Sequence, residues 1–510
     1  MTKKSPNILV IQVDEMTPGV LPAYGHQMVK TPHIDGLADA GVVFENAYCN
    51  FPLCVPSRMS MLTGRLTSAI AQWDNAIELP AAVPTVAHTM RHLGYHTVLC
   101  GKMHFIGPDQ VHGFDERITT DIYPANFAWT PDWITGERYR PTGISPRAIV
   151  EAGVCVRNLQ IDYDDEVEFA GLQKLHDLAR FQRDKPFMMW LSFTHPHAPF
   201  VTTHEYWDLY DHDAVDMPKV APIPVDELDA MSRWLYYGHG QDLLTITDEH
   251  VRNARHAYYG MCSYLDDKVG RIIDVLRKTD LAEDTVVVFT SDHGEMLGER
   301  GMWYKQAFYE DSVRVPLIVT APGRYAAGRV PNNVSLVDLL PTFADIATDG
   351  AAPAPAAPLD GHSLTNLLAG GDGDDTVISE YTGEGVIAPC RMVKQGRHKY
   401  IYTHGHPPQL FDVEDDPLEL DNLIGRADVA SVEAELAAMI VDGWDADDIN
   451  ERCIQSQKER LFIQAATDGN PTWSFIARPG DGERFVRNAG ATATKSAARY
   501  PFVEPTPFDR

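Results

Sequence analysis

Five long apolar segments, separated by stretches with helical spacing, constrain the fold of this chain more than any other feature. Their residues are almost continuously apolar, which is typical of strands that are covered on both faces of a sheet. The segments are residues 6–15, 95–105, 186–197, 284–295 and 315–323. Helical patterns lie between them, as in residues 31–42, 84–94 and 256–280. Strands that alternate with helices predict an α/β fold with a mainly parallel, mixed sheet flanked by helices.

Polar side chains follow four of these strands, at the point where each predicted strand ends. They are Asp14, then Lys102 and His104, then His195 and His197, and finally Asp292 and His293. The carboxyl ends of parallel strands meet at one edge of a sheet, and ligands bind beyond that edge. The repeated pattern therefore predicts a single site there.

The chain has 510 residues, which is more than one compact core normally supports. An alanine- and proline-rich segment at 349–362 and a glycine- and aspartate-rich segment at 370–375 mark a boundary. The predicted parts are a large α/β domain over 1–370, a small α+β subdomain with an antiparallel sheet over 371–480, and an extended tail over 481–510. The tail lacks core periodicity but carries aromatic residues and arginines, so it is either disordered or docked, for example on a neighbouring subunit.

Charge and cysteine content exclude several classes of protein. A formal net charge of −29 repels nucleic acid and anionic membranes, and no apolar run is long enough to cross a bilayer. The first apolar segment is short, contains Gln12 and runs into Asp14 without a cleavage site, which indicates a strand rather than a signal peptide. Seven widely spaced cysteines predict reduced thiols. We expect a cytoplasmic protein with no nucleic-acid or membrane partner.

A cysteine stands at the predicted start of a helix, in the segment LCVPSRMSMLTGR at residues 53–65. Pro56 suits the first helical turn, and Arg58 projects from the same face as Cys54. A group at position 54 would lie near both the positive helix end and a guanidinium, which suits a nucleophile that attacks an anion. The alternatives are an ordinary thiol nucleophile and a small buried core residue. Arg58 and the polar strand ends disfavour both.

The segment from Cys54 to Arg58, followed by TGR at 63–65, resembles the signature of the type I sulfatases of the alkaline phosphatase superfamily. The order of the other motifs is similar too, from Asp14 to SDHGEMLGERG at 291–301, and the resemblance covers the whole chain. It implies an alkaline-phosphatase-like large domain that cleaves sulfate monoesters. It also implies a formylglycine-generating enzyme as maturation partner, which oxidises the cysteine to Cα-formylglycine. Of the two hydroxyls of the hydrated aldehyde, one attacks sulfur and the other allows sulfate to be expelled.

The resemblance further implies one divalent metal ion, held by Asp14, Asp292, His293 and the position-54 oxygen. Two carboxylates and an imidazole with oxygen donors suit Ca²⁺ or Mn²⁺. Many sulfatases have a second aspartate beside the first, whereas Asp14 is flanked by Val13 and Glu15, and His293 stands where others carry asparagine. Choline sulfatases and phosphonate monoester hydrolases share this departure, so both Ca²⁺ and Mn²⁺ remain candidates for the ion.

Further residues match catalytic positions of the family. The resemblance places Lys102 and His104 beside the nucleophile, where Lys102 would neutralise sulfate oxygens and His104 would act as the base on the second hydroxyl. His197 matches a histidine near the leaving oxygen, and Lys305 a lysine that contacts the ester. Either of these two could protonate the leaving alkoxide. The predicted catalytic set is Cys54, Arg58, Lys102, His104, His197 and Lys305.

Within the family, residues 75–80, 101–133 and 409–423 look most like choline sulfatases. A quaternary ammonium is held by aromatic rings through cation–π attraction. Asn75 and Trp129 are the predicted substrate contacts. Further aromatic candidates are Trp73, Tyr123, Phe127 and Trp133. The similarity of the tail implies a homo-oligomer, a dimer or a tetramer.

One segment departs from the choline-sulfatase pattern. Residues 136–150 lack the expected aromatic and histidine residues and contain Arg138, Arg140 and Arg147 instead. Arginines disfavour a cationic leaving group, so another alkyl or aryl sulfate remains an alternative substrate.

Two other functions compete with the sulfatase hypothesis. A phosphonate monoester or phosphodiester hydrolase would use the same site, because both chemistries place a tetrahedral anion on one metal. A catalytically silent binding protein would lack at least one element of the nucleophile, the metal ligands or the bases. All of these elements are present in the sequence.

Overall fold

The computed structural model of the protein describes residues 5–139, 144–181, 184–467, 473, 475–481 and 495–507. The strands are β1 (Asn7–Val13), β2 (Val42–Tyr48), β3 (His96–Gly101), β4 (Glu116–Arg117), β5 (Gly153–Val154), β6 (Phe187–Ser192), β7 (Val201–Thr202), β8 (Thr285–Ser291), β9 (Arg314–Thr320), β10 (Gly328–Ser335), β11 (Thr376–Tyr381), β12 (Cys390–Gln395), β13 (His398–Thr403) and β14 (Gln409–Asp412).

The α-helices are α1 (Pro32–Ala40), α2 (Cys54–Thr63), α3 (Val86–His92), α4 (Arg147–Val150), α5 (Leu159–Phe181), α6 (His204–Trp207), α7 (Ala230–Gly238), α8 (Asp248–Lys278), α9 (Glu310–Val313), α10 (Leu339–Thr348), α11 (Thr365–Leu368), α12 (Ala430–Val441) and α13 (Ala446–Ala466). Short 3₁₀ helices lie at Pro18–Val20, Pro22–Tyr24, Thr67–Ile70, Trp133–Thr135, His212–Ala214, Ala282–Asp284, Glu299–Gly301 and Leu336–Asp338.

The large sheet has the strand order β10-β2-β9-β8-β1-β6-β3-β4. β9 runs antiparallel to both of its neighbours, and the other pairs are parallel. The predicted mainly parallel, mixed sheet is therefore confirmed. β1 lies between β8 and β6, with Val13 paired with Ser291 and Gln12 with Ser192. This register brings the carboxyl ends of the central strands to one edge.

Alternate residues of β1 pack against different layers of helices. Ile8 and Val10 belong to the core that also contains residues of α2, α3 and α10. Leu9, Ile11 and Val13 belong to the core that contains residues of α1, α5 and α8. All five side chains are fully buried. A strand that is covered on both faces needs apolar residues at successive positions, which explains the continuous apolar run at this strand.

A second, smaller sheet follows in the C-terminal part of the chain. Its strands β11, β12, β13 and β14 pair antiparallel in chain order, and α12 packs on β12 and β13. The predicted antiparallel C-terminal sheet is thus confirmed. The segment after β11 carries Glu384, which lines the same cavity as Cys54.

The described part of the tail, residues 495–507, lies against the segment that connects α4 to α5. Tyr500 pairs with Arg157 through their backbones, and the Tyr500 carbonyl also accepts a hydrogen bond from the Val156 amide. Arg140 and, of the predicted tail, residues 482–494 and 508–510 lie outside the described residues. Among the described helices, none combines the length and the apolar character needed to cross a membrane.

Candidate active site

Strand ends and one helix start build the site. Asp14 follows β1, and Asp292 and His293 follow the adjacent parallel strand β8. Cys54 is the first residue of α2, and Leu53 before it is extended, so the helix begins at the cysteine. The structure therefore brings these four residues together although they are far apart in sequence.

The four side chains can hold one metal ion. The Asp14, Cys54, Asp292 and His293 ligand atoms all lie within 4.8 Å of one another and are buried. His293 Nδ1 donates to the Gly294 carbonyl at 3.1 Å. Nε2 is therefore the ring nitrogen that faces the cluster, and it lies 3.4 Å from Cys54 Sγ. Two carboxylates and an oriented imidazole fit a hard or borderline divalent cation.

Arg58 connects the two carboxylates of this cluster. It is fully buried, and it donates through Nε to Asp292 at 2.8 Å and through a terminal nitrogen to Asp14 at 3.2 Å. Its other terminal nitrogen donates to the Lys102 carbonyl at 2.7 Å and to Ser192 Oγ at 2.8 Å. Burial by itself would lower the pKa of Arg58, but the Asp292 and Asp14 carboxylates outweigh it and raise that pKa.

Lys102 reaches the nucleophile position because a glycine precedes it. Its ammonium contacts the Asp14 carboxylate and lies 3.4 Å from Cys54 Sγ. Gly101 has φ +103°, and a Cβ atom there would lie 1.9 Å from the Ser192 carbonyl oxygen. Glycine alone fits this turn. Burial opposes the charge of Lys102, yet Asp14 raises its pKa above the ordinary value.

His104 lies in a left-handed turn with φ 61°. Asp121 holds this turn by accepting the Met103 and His104 amides at 3.0 and 2.7 Å. Both ring nitrogens of His104 are buried and have no hydrogen-bond partner among the described residues. Burial and the charge of Lys102 lower the pKa of His104 to about 3. The ring is therefore a neutral imidazole, which can accept a proton.

His197 and Lys305 form a pair. His197 Nδ1 donates to the Ala198 carbonyl at 2.7 Å, so its Nε2 accepts from the Lys305 ammonium at 2.8 Å. Burial and Lys305 lower the pKa of His197 well below its ordinary value. Burial would also lower the pKa of Lys305, but Glu15, whose carboxylate lies 3.1 Å away, raises it. In the hydrogen bond between these two residues, the proton therefore stays on Lys305.

Two glutamates behind this pair were not among the predicted site residues. Glu295 accepts the Leu297 and Tyr304 amides at 2.9 and 2.6 Å. Burial and the neighbouring Glu15 raise the pKa of Glu295 well above its ordinary value. Glu295 therefore favours its protonated form, and the Glu15 carboxylate faces Lys305. The sequence feature that could have pointed to these glutamates is Glu15 itself, which stands beside Asp14 where many sulfatases have a second aspartate.

A cavity of about 100 Å³ opens above the cluster. It is lined by Cys54, His104, His197, Lys305, Asn75 and Trp129, among others. Asn75 also accepts the Val55 amide at 2.9 Å, so its side chain helps to hold the start of α2. Trp129 packs on Tyr123 and His104, with ring centroids 5.3 Å apart in each case.

Other aromatic candidates lie elsewhere. Tyr123 lines the cavity, whereas Phe127, Trp133 and Trp73 are buried in the core and are not among its described lining residues. His195 is also outside this lining, and its Nδ1 lies 2.6 Å from the Asp164 carboxylate. The lining contains five acidic or basic residues that were not predicted to bind substrate. They are Arg147, Glu151, Glu384, Lys495 and Arg499.

Comparisons with known proteins agree with this geometry. The sulfatase family model matches residues 6–349, and the C-terminal model of N-sulphoglucosamine sulphohydrolase matches residues 298–444. The choline-sulfatase of Rhizobium meliloti (strain 1021) is 40% identical and aligns over 98% of this chain and 99% of its own length. Human arylsulfatase K is 31% identical over 82% of this chain and 79% of its own.

A solved structure shows the same fold. The phosphonate monoester hydrolase of Agrobacterium radiobacter has a TM-score of 0.69 and 24% identity, over 86% of this chain and 95% of its own. The family match spans most of the chain, and the 40% identical relative spans nearly all of it. The chain belongs to the sulfatase family of the alkaline phosphatase superfamily, close to the choline sulfatases, and it hydrolyses sulfate monoesters.

Proposed function

We propose that the protein cleaves sulfate monoesters with Cα-formylglycine, formed from Cys54, as its nucleophile and one Ca²⁺ or Mn²⁺ ion as its cofactor. The observation that carries this proposal is the buried group of Asp14, Cys54, Asp292 and His293 at the start of α2. The hydrated aldehyde would supply an oxygen nucleophile, and the ion would polarise that oxygen and a sulfate oxygen. A formylglycine-generating enzyme is the maturation partner that this proposal requires.

The remaining residues act on different parts of the ester and of the metal site. Arg58 orients the two carboxylates of the metal site, and Lys102 neutralises charge on the sulfate oxygens. His104, a neutral imidazole whose ring nitrogens have no hydrogen-bond partner in the described part of the chain, accepts a proton from position 54. The Lys305–His197 pair supplies the proton to the leaving oxygen, with Lys305 as its source.

A substrate comparison tests this function. We expect kcat/KM for 4-nitrophenyl sulfate to exceed that for a phenyl phosphonate monoester, and intact mass to show a loss of about 18 Da from oxidation of the thiol. A higher rate with the phosphonate would favour the alternative, a phosphonate monoester or phosphodiester hydrolase. Full activity of protein with an unmodified Cys54 would contradict the proposed nucleophile.

A Glu15→Gln variant tests the role of the Lys305–His197 pair. Loss of the carboxylate that lies 3.1 Å from the Lys305 ammonium should lower the pKa of Lys305 and so destabilise its protonated form. We expect kcat/KM for an alkyl sulfate to fall about 100-fold, at the lower end of the range of general acid catalysis, and the value for 4-nitrophenyl sulfate to fall much less. The reason is that nitrophenolate leaves without a proton. Equal losses with both esters would show that Glu15 supports the fold or the metal site instead.

We also propose that the protein works in the cytoplasm, as a dimer or tetramer of identical chains. Support for a reducing compartment comes from its cysteines, since all seven are free and buried. Support for assembly comes from exposed apolar side chains, such as Phe462 on α13 (73% exposed) and Phe502 in the tail (58% exposed).

A further inference from the structure

The cavity above the nucleophile has cationic side chains beyond those that the proposed chemistry uses. Arg147 comes from α4, and Lys495 and Arg499 come from the tail. A leaving group that extends away from the sulfur would meet these residues. Their charge therefore bears on which alcohols the enzyme accepts.

Several contacts hold the tail at the cavity. Arg499 donates to the Glu151 and Val154 carbonyls at 2.7 and 3.0 Å. Arg147 donates to the Thr506 carbonyl at 2.6 Å, and the Thr506 amide donates to the Glu151 carboxylate at 2.6 Å. In these bonds Arg499 donates to neutral carbonyl groups, and carbonyls do not cancel a positive charge.

Lys495 is the clearest case of a charge without a counter-charge. Its ammonium donates to the Ala198 carbonyl at 2.9 Å and lies 5.4 Å from the centre of the Tyr123 ring. No carboxylate of the described residues forms an ion pair with it. Burial, Lys305 and Lys102 lower the pKa of Lys495 to about 7, while Glu15 and Asp14 oppose this shift. A bound anion would stabilise its charged form.

The acidic residues of the cavity cancel only part of this charge. Burial and Asp74 raise the pKa of Glu384 well above its ordinary value, which favours its neutral form. The Glu151 carboxylate accepts from the Thr506 amide and offsets part of the charge of Arg499. One buried nitrogen of Arg499, Nε, has no hydrogen-bond partner among the described residues. The cations on the tail side of the cavity therefore outnumber the carboxylates that could neutralise them.

We propose that Lys495 binds a carboxylate on the alcohol part of the substrate, so that the preferred substrates are sulfate esters of hydroxy acids. This inference rests on the proposed sulfatase function and assigns the substrate class of the same site. A quaternary ammonium would have to approach Lys495, Arg147 and Arg499 at once, which like-charge repulsion disfavours. Arg499 Nε gives the carboxylate a second donor.

Two esters of equal shape test the proposal. We expect kcat/KM for 4-sulfooxybenzoate to exceed that for 4-sulfooxybenzamide by about 10-fold, the value of one charge-assisted hydrogen bond. Lys495→Gln should reduce kcat/KM for the acid about 10-fold more than kcat/KM for the amide. Lys495→Glu should shift the substrate preference towards choline sulfate. Lys278→Gln, at the exposed end of α8, is the control and should leave the acid-to-amide ratio unchanged.

The outcomes separate this inference from the proposed function. Equal kcat/KM values for the acid and the amide would overturn it, and so would a preference for choline sulfate. It would also be overturned if Lys495→Gln lowered kcat/KM equally for all esters. Inactivity with every ester, 4-nitrophenyl sulfate included, would contradict the sulfatase mechanism instead. In that case, calorimetry of the products gives the same comparison without turnover: 4-hydroxybenzoate should bind about 10-fold tighter than 4-hydroxybenzamide, and Lys495→Gln should abolish the difference.

Discussion

A Cys54→Ser variant is expected to release at most one equivalent of alcohol per chain, with steady-state turnover at least about 10³-fold below that of the matured protein. A serine oxygen would occupy the place of Sγ, which lies 3.4 Å from both Lys102 Nζ and His293 Nε2. It could accept the sulfuryl group. It has no second hydroxyl with which to expel sulfate, so the reaction should stop after transfer.

Rapid-quench measurement of alcohol release checks this result, with residue 54 verified as serine by peptide mass. Cys54→Ala is the matched control, since it removes the nucleophile and should give no burst at all. A Cys54→Ser enzyme that turns over continuously would refute the release step. A burst of equal size from Cys54→Ala would show that the alcohol arises elsewhere.

The core of the fold was predictable because its strands are covered on both sides. Strand β1 and the three strands β3, β6 and β8 are continuous apolar runs, and each coincides with a predicted segment. β10 at the sheet edge was not predicted, since its residues GRVPNNVS are partly exposed and polar. β2 was also missed, because VVFENAY carries two polar residues in its centre. The sequence signal was therefore strong where every residue of the strand is buried and weak where polar residues are partly exposed.

The clustering of Asp14, Cys54, Asp292 and His293 was predictable because each residue follows a strand end or starts a helix. Lys305 has no such position, and only the family motif pointed to it. Glu384 and Lys495 carried no signal at all, because their approach to Cys54 depends on how the small sheet and the tail pack on the large domain. Spacing within one strand or helix can be read from sequence, whereas contacts between distant segments depend on tertiary packing.

An Arg58→Met variant is expected to lose both activity and stability. The change keeps the apolar stem but leaves the Asp14 and Asp292 carboxylates without their guanidinium, and both are fully buried. Removing one partner of a buried ion pair costs about 3–5 kcal/mol. The carboxylates should also lose their orientation, so kcat should fall at least about 10²-fold, as when a positioned electrostatic group is removed.

Arg255→Met separates the two effects. Arg255 is buried on α8 and ion-paired with Asp216, but it is not among the described residues that line the cavity. Its loss should lower the thermal midpoint while kcat and bound metal per chain stay near those of the parent. If Arg58→Met lowers only the midpoint, the arginine is a structural support and nothing more. If it instead lowers metal content and kcat together, the position of the two carboxylates depends on its guanidinium, because metal affinity requires both ligands in place.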